Sequence, residues 1–134
     1  MLLDLSALKN LLTSSKTIAV VGLSPKESRP SNMVARYLLE AGYRVIPVNP
    51  GQKEILGLPC YADLEAVPEP VDIVDIFRRS EDVEPIVEAA IRIGATAVWM
   101  QEGVVNEAAA QMARAAGLTV VMDRCLKTVH ADLC

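Results

Sequence analysis

Gly22, Lys26, Arg29 and Ser31 fall within one stretch, TIAVVGLSPKESRPS from Thr17 to Ser31, whose residue types suit the binding of a phosphate. An apolar run, Ile18 to Val21, ends on Gly22, and a segment rich in Ser, Pro, Lys and Arg leads into an amphipathic stretch at Asn32. That pattern predicts a buried first strand, a loop and a helix. The N-terminus of a helix fed by such a loop favours anions, because its first backbone N–H groups lack intrahelical partners and the dipole is positive there. A nucleotide bound by this chain is expected here.

Other chemistry is thin. His130 is the only histidine and follows Cys125 in DRCLKTVH, so a Cys-His pair can be drawn. Both lie in the last structured turns with no evident oxyanion site, and a buried or incidental cysteine is the simpler reading. Cys60, Cys125 and Cys134 lack C-x-x-C spacing, and with one histidine they make a poor zinc site. Odd in number, they fit free thiols in a reducing cytoplasm better than a disulfide framework. Asp72, Asp75 and Asp123 fall on or beside predicted strands, where a carboxylate can be catalytic but more often caps a turn or sits at a solvated strand end. Phe77 and Trp99 could contact a base, with core packing preferred for Trp99.

A chain of 134 residues is expected to be one domain, able to bury roughly 68% of its unfolded surface without staples. It is 51% hydrophobic and only 4% aromatic, which leaves Val, Ile, Leu and Ala to fill a core of the kind found under parallel sheets. The net charge of -4, from 17 acids and 13 bases, argues against general nucleic-acid binding, so any anion site must be local. The opening MLLDLSALKNLL contains Asp4 and no small-residue cleavage site, and reads as a short amphipathic helix rather than a signal peptide. No apolar run approaches a membrane span. A mean hydropathy of +0.29 leaves room for a homodimer that covers apolar surface.

The elements follow from periodicity and punctuation. Leu5 to Leu12 is a helix ended by Thr13 to Lys16, and Met33 to Ala41 a second, with Ser31 or Asn32 as N-cap and Gly42 as stop. Tyr43 to Val48 is a second strand ending in the turn Asn49-Pro50-Gly51. ILGLPCY, Ile55 to Tyr61, is a loop with room for one edge pairing, before a helical turn near Asp63 to Ala66. Val71 to Phe77 is a third strand, and Ser80 caps a helix that runs to Gly94. Thr96 to Met100 is a fourth strand. Asn106 caps a helix ended by Gly117, and Leu118 to Met122 is a fifth strand. Alternation at this spacing predicts βαβ units and one doubly wound α/β domain, a five-stranded parallel sheet of order 3-2-1-4-5 with helices on both faces.

In such sheets ligands sit beyond the carboxyl ends of the strands, where the winding reverses. The loops Leu23 to Arg29 and Gln101 to Val105 would meet there, flanked by Asn49 to Lys53 and by Arg78-Arg79. Lys26, Arg29, Lys53, Arg78 and Arg79 would supply positive charge, although each taken alone reads as a solvated surface group. The usual dinucleotide fingerprint is incomplete: Ser24 and Glu27 replace its second and third glycines, and Asn49 stands where a ribose-binding acid is wanted. NAD and FAD are disfavoured. A phosphorylated adenosine held by backbone N–H groups and local bases is not.

The runs VGLSPKESRPS, YRVIPVNP, VDIVDIFRRSEDV, AVWMQEGVVNEAAA and VVMDRCLK, in this order, resemble the small stand-alone CoA-binding proteins of bacteria and archaea. That family is similar to the N-terminal Rossmann-like domain of the succinyl-CoA synthetase α subunit. The resemblance spans Thr17 to about Lys127 and implies coenzyme A or an acyl-CoA as ligand. By position it places the phosphate-cradling loop on Gly22, Leu23, Ser24, Pro25 and Lys26, with Arg29, Ser31 and Asn32 beyond. The turn after strand two falls on Pro50-Gly51-Gln52, next to Asn49, its lysine displaced by one to Lys53. Phe77-Arg78 and Gln101-Glu102-Gly103 complete the implied site. His130 does not match the phosphorylated histidine of the synthetases, which belongs to a following domain, so the resemblance implies binding without chemistry on the thioester. Two other readings stay open: a CoA-dependent enzyme using Cys125, and an interaction module with a vestigial pocket whose function lies in a protein partner.

Overall fold

Short apolar runs bounded by Gly, Asn or Asp form the parallel strands that periodicity predicts, and the computed structural model, which describes residues 4–134, joins five of them in one sheet. In chain order the elements are α1 (Leu5–Ser14), β1 (Thr17–Val21), α2 (Pro30–Glu40), β2 (Arg44–Val48), β3 (Glu54–Ile55), β4 (Leu58–Pro59), β5 (Ile73–Ile76), α3 (Val83–Arg92), β6 (Ala97–Met100), α4 (Glu107–Ala115), β7 (Thr119–Val121) and α5 (Leu126–Leu133). Met1 to Leu3 of the predicted opening amphipathic stretch lie outside the described residues. Two 3₁₀ turns, Leu64–Ala66 and Ser80–Asp82, precede β5 and α3. Among the described residues no helix is long and apolar enough to cross a membrane.

The sheet runs β2-β1-β5-β6-β7 with every neighbour parallel, while β3 and β4 form a separate antiparallel hairpin. Beyond β4, Tyr61 makes one parallel bridge to Val48 on the outer side of β2. The expected five-stranded parallel sheet is present, with one segment corrected: the third predicted strand, Val71 to Phe77, is β5 and stands between β1 and β6, while the Tyr61 bridge lies outside β2. Ile73, Val74, Asp75 and Ile76 are all fully buried, which suits only a central strand. Pro47 leaves β2 short of a donor on its outer side, where its carbonyl accepts from Tyr61 N at 3.0 Å, so pairing there stays minimal. The winding therefore reverses between β1 and β5.

Alternate strand residues feed opposite faces. Ala19, Val21, Val74, Ile76, Val98 and Met100 pack with Val87 of α3 and Ala110 of α4. Ile18, Val20, Ile73 and Trp99 pack with Leu8 of α1, Leu38 of α2 and Leu126 of α5. Asp4 caps α1, its carboxylate accepting from Ala7 N at 2.7 Å, and Asn106 caps α4 as predicted, accepting from Ala109 N at 2.9 Å.

Two expected caps are replaced. Arg29 is the N-cap of α2, with no side-chain bond, and Pro30 opens the helix. Proline suits that position because its missing N–H would be unpaired anyway, and Ser31 and Asn32 are thereby released to bind the preceding loop. Ser80 likewise does not cap α3, which begins at Val83 after its own 3₁₀ turn. Its hydroxyl accepts instead from Val105 N at 3.0 Å, and its carbonyl accepts from Asn106 Nδ2 at 2.9 Å, which ties the turn after β5 to the loop after β6.

Leu38→Ala, which empties a fully buried position under α2, is expected to cost about 2–5 kcal/mol. Leu5→Ala, at a position 64% exposed, is expected to stay within about 0.5 kcal/mol. Urea unfolding followed by circular dichroism distinguishes the two.

Candidate functional site

Gly22 ends β1 with φ +86° and donates its N–H to Val48 O at 2.8 Å. A Cβ added there would land on the Phe77 carbonyl oxygen and lie 3.3 Å from Arg78 Nε. The turns after β1 and β5 thus touch through a position that only glycine fills, at the point where the winding reverses. Phe77 N donates in turn to Val21 O at 2.8 Å.

From Gly22 the loop is fixed by polar side chains, of which Ser31 and Asn32 are buried. Ser24 N donates to Ser31 Oγ at 3.0 Å, and Asn32 Nδ2 donates to Ser24 O at 2.9 Å. Lys26 N donates to Ser24 Oγ at 3.1 Å. Arg36 bridges Asn32 Oδ1 and Glu27 O, each at 2.9 Å. Asn49, at the end of β2, donates to Leu23 O at 2.9 Å and accepts from Gly51 N at 2.9 Å. Leu23 itself is fully buried. Ser31, Asn32 and Asn49 are therefore scaffold for the loop, and the start of α2 is left without a side-chain cap or a first-turn acid.

Above this junction opens a cleft of about 620 Å³. Pro30 and Val34 of α2 form one wall, Phe77, Arg78 and Arg79 another, and Gln101, Glu102 and Cys125 close it. A second cleft, of about 340 Å³, lies against Val21 and Val48 on the α3 side, between Pro50, Ile86 and Arg92. Arg78 borders both. The ion pairs among the described residues leave Arg78 uncommitted, whereas Arg79 is paired with Glu81 at 3.3 Å and Asp82 at 3.2 Å.

The expected site residues divide accordingly. Phe77, Arg78, Gln101 and Glu102 line the first cleft and Pro50 the second. Gly103 donates its N–H to Asp123 Oδ1 at 2.7 Å, which fixes the loop after β6. Pro25, Lys26, Arg29 and Lys53 are exposed and form no part of either wall. His130 is bonded to the Tyr37 hydroxyl at 2.7 Å, away from the wall that holds Cys125, so the drawn Cys-His pair is replaced by a Tyr-His pair. Trp99 is core, its Nε1 donating to Arg124 O at 2.8 Å.

Asp75, which the strand pattern places at a turn or a solvated strand end, is instead interior. It is fully buried in the middle of β5, its neighbours in register being Val20 and Trp99. Gln101 Nε2 donates to Asp75 Oδ1 at 2.5 Å, and Oδ2 has no partner among the described residues. Burial pushes this carboxyl up to about 7, against the opposing pull of the Gln101 hydrogen bond. The run VDIVDIF places Asp75 on the strand face shared with Ile73 and Phe77, and a charged residue among apolar ones is the signal the sequence offers for this burial.

The family model of the CoA binding domain matches residues 16–131. The chain belongs to this CoA binding domain family. An uncharacterized protein of Bacillus subtilis, YneT, is 45% identical over 124 residues, spanning 92% of each chain. A family relative of known structure, a hypothetical protein from Pyrococcus horikoshii, is 41% identical with a TM-score of 0.96, over 98% of this chain and 92% of that one. The ADP-forming acetate–CoA ligase I of Archaeoglobus fulgidus is 27% identical over 88% of this chain, a match confined to 19% of the ligase.

Gly22→Ala is expected to destabilise by more than the roughly 1–3 kcal/mol of an unfavourable φ alone, because the methyl group also strikes the Phe77 carbonyl. Thermal unfolding of the variant checks this. Asp75 generates a pH dependence. The unfolded carboxyl loses its proton near pH 4, whereas the folded one holds it to about 7. The folded protein binds more protons in that window, so this residue's contribution to stability falls as pH rises through it and is fully lost above it. Asp75→Asn is expected to raise the melting temperature relative to the parent at pH 8 by clearly more than at pH 5.

Proposed function

We infer that this family member binds coenzyme A or an acyl-CoA in the cleft beyond β1, β5 and β6, without catalysing a reaction of its own. The observation that carries the reading is the meeting of three features within the family-matched segment: an uncapped start of α2, the Gly22–Phe77 junction, and the uncommitted Arg78 between two clefts. The pyrophosphate is assigned to the loop Gly22 to Lys26 and the first turn of α2, where helix-terminal N–H groups favour anions. Arg78, with its planar guanidinium, is assigned to the 3′-phosphate. Lys26, Arg29 and Lys53 are peripheral charges that attract the ligand rather than hold it.

A dinucleotide such as NAD fits less well. Asn49 occupies the position of the ribose-binding acid, and both of its polar atoms are committed to Leu23 O and Gly51 N. The loss of a charge-assisted hydrogen bond is worth about 1.5–3 kcal/mol, or roughly tenfold or more in affinity. Calorimetric titration should therefore give saturable binding of CoA, binding of dephospho-CoA weaker by about tenfold, and weaker still for NAD. Arg78→Ala should erase most of the difference between CoA and dephospho-CoA. Equal affinity for the two in the parent protein would overturn the role given to Arg78, and tight NAD binding would overturn the ligand.

The position of Cys125 on the cleft wall favours one second reading, a CoA-dependent enzyme with this thiol as nucleophile. On that reading Cys125→Ser abolishes a turnover and leaves CoA binding intact. The first reading takes residues 1–134 as one cytoplasmic domain and allows a homodimer.

A further inference from the structure

Asp75 is left over from the fold and from the site. A central strand covered on both faces is ordinarily apolar, and a carboxyl there loses its hydration. The same strand carries Ile73, Val74 and Ile76, all fully buried, and nothing in the packing requires an acid among them. Among the described residues its carboxyl has one partner, Gln101 Nε2, and one oxygen with none. Unpartnered buried oxygens are uncommon and costly.

Its position relates it to the cleft. Phe77, two residues along the same face of β5, and Gln101, its hydrogen-bond partner one strand away, both line the wall. Asp75 thus lies one step beneath the floor. Gln101 commits one of its two amide N–H donors to Asp75. Any charge on Asp75 acts across a thin, poorly screened layer on whatever occupies the cleft.

The surrounding charges do not neutralise it. Arg78 and Arg79 line the cleft above, but Arg79 is engaged by Glu81 and Asp82, and Asp82 and Glu102 add acids to the same wall. From β1 the residue in register is Val20, and from β6 Trp99, whose Nε1 is bonded to Arg124 O. On α2, Arg36 is turned to Asn32 and Glu27, and on α5, His130 is bonded to Tyr37 and Cys125 faces the cleft. The floor is therefore neutral while Asp75 keeps its proton and negative once it is lost.

We propose that the Asp75–Gln101 pair is a proton-linked specificity element of the cleft: a polyanionic ligand of the CoA class binds with Asp75 neutral, and its binding is coupled to proton uptake at Asp75. The proposal rests on the CoA reading above and adds the residue that makes that binding depend on pH. A polyanion over the cleft raises the cost of ionising Asp75, so by linkage a rise in pH through the titration of Asp75 weakens binding. The titration near 7 given by burial puts this coupling close to neutrality. Ligands that lack charge at this end of the cleft would bind without it.

The test is calorimetric titration with CoA at pH 6, 7 and 8, in buffers of different ionisation enthalpy, on the parent protein and on Asp75→Asn. Titration of CoA's own 3′-phosphate is common to both proteins and cancels in the comparison. The parent is expected to lose about three- to tenfold more affinity between pH 6 and pH 8 than the variant. It should also take up a fraction of a proton near pH 7 that the variant does not. Identical pH slopes and identical proton counts would overturn the proposal while leaving CoA binding standing. An absence of CoA binding at every pH would overturn the CoA reading and the proposal with it. Should Asp75→Asn fail to fold, the carbon-13 carboxyl resonance of Asp75 in the parent protein answers the same question. Its titration must move to higher pH on saturation with CoA, and an unmoved titration overturns the proposal.

Discussion

The close approach of Gly22 to the Phe77 carbonyl is the contact on which the rest of the site depends. It holds the ends of β1 and β5 together where the sheet reverses its winding, and it admits no side chain at position 22. Because the two turns touch, the start of α2, through Pro30 and Val34, and the Arg78-Arg79 turn face each other across one cleft. Arg78, directly after that contact, borders both clefts for the same reason. A β-branched or merely methylated residue at 22 would part the turns and separate the uncapped start of α2 from the guanidinium.

Around this contact lies a small set of polar side chains committed to the backbone. Ser31, Asn32 and Asn49 are committed to the backbone of the loop and make a rigid cradle out of a segment with few glycines. On the proposed reading this rigidity serves phosphate recognition, because donors held in place before an anion arrives need not be ordered on binding. Ser80, Asn106 and Asp123 do the same for the loops after β5 and β6. Asp75 is the exception, a buried acid whose second oxygen is unpartnered among the described residues. In an acidic chain of net charge -4, Arg78 is the base that borders both clefts and stays outside the ion pairs of the described residues.

Most of the architecture is legible in the sequence. The alternation of apolar runs with capped amphipathic segments yields the strands, the parallel sheet and helices such as α4, whose Asn106 cap is a local signal read from adjacent residues. The identity of the segment outside β2 is not legible, since it depends on how thoroughly β5 is buried and on which side Pro47 turns its missing N–H. The local pattern misassigns the caps at Ser31, Asn32 and Ser80 because these side chains serve contacts 7 to 25 residues away in sequence. Of the candidate site, Phe77, Arg78, Gln101 and Glu102 can be placed from strand ends alone. Val34 and Cys125 join the wall from elements whose approach is a tertiary fact, and the burial of Asp75 is one as well.

Amide chemical-shift mapping of the labelled protein during addition of CoA tests the central claim most directly. The account predicts that the largest shifts fall on Gly22 to Asn32, Phe77 to Arg79, Gln101 to Val104 and Cys125, with Gly22 and Phe77 moving together. Shifts confined to the β3–β4 hairpin or to α4 and β7, with Gly22 and Phe77 unmoved, would contradict it.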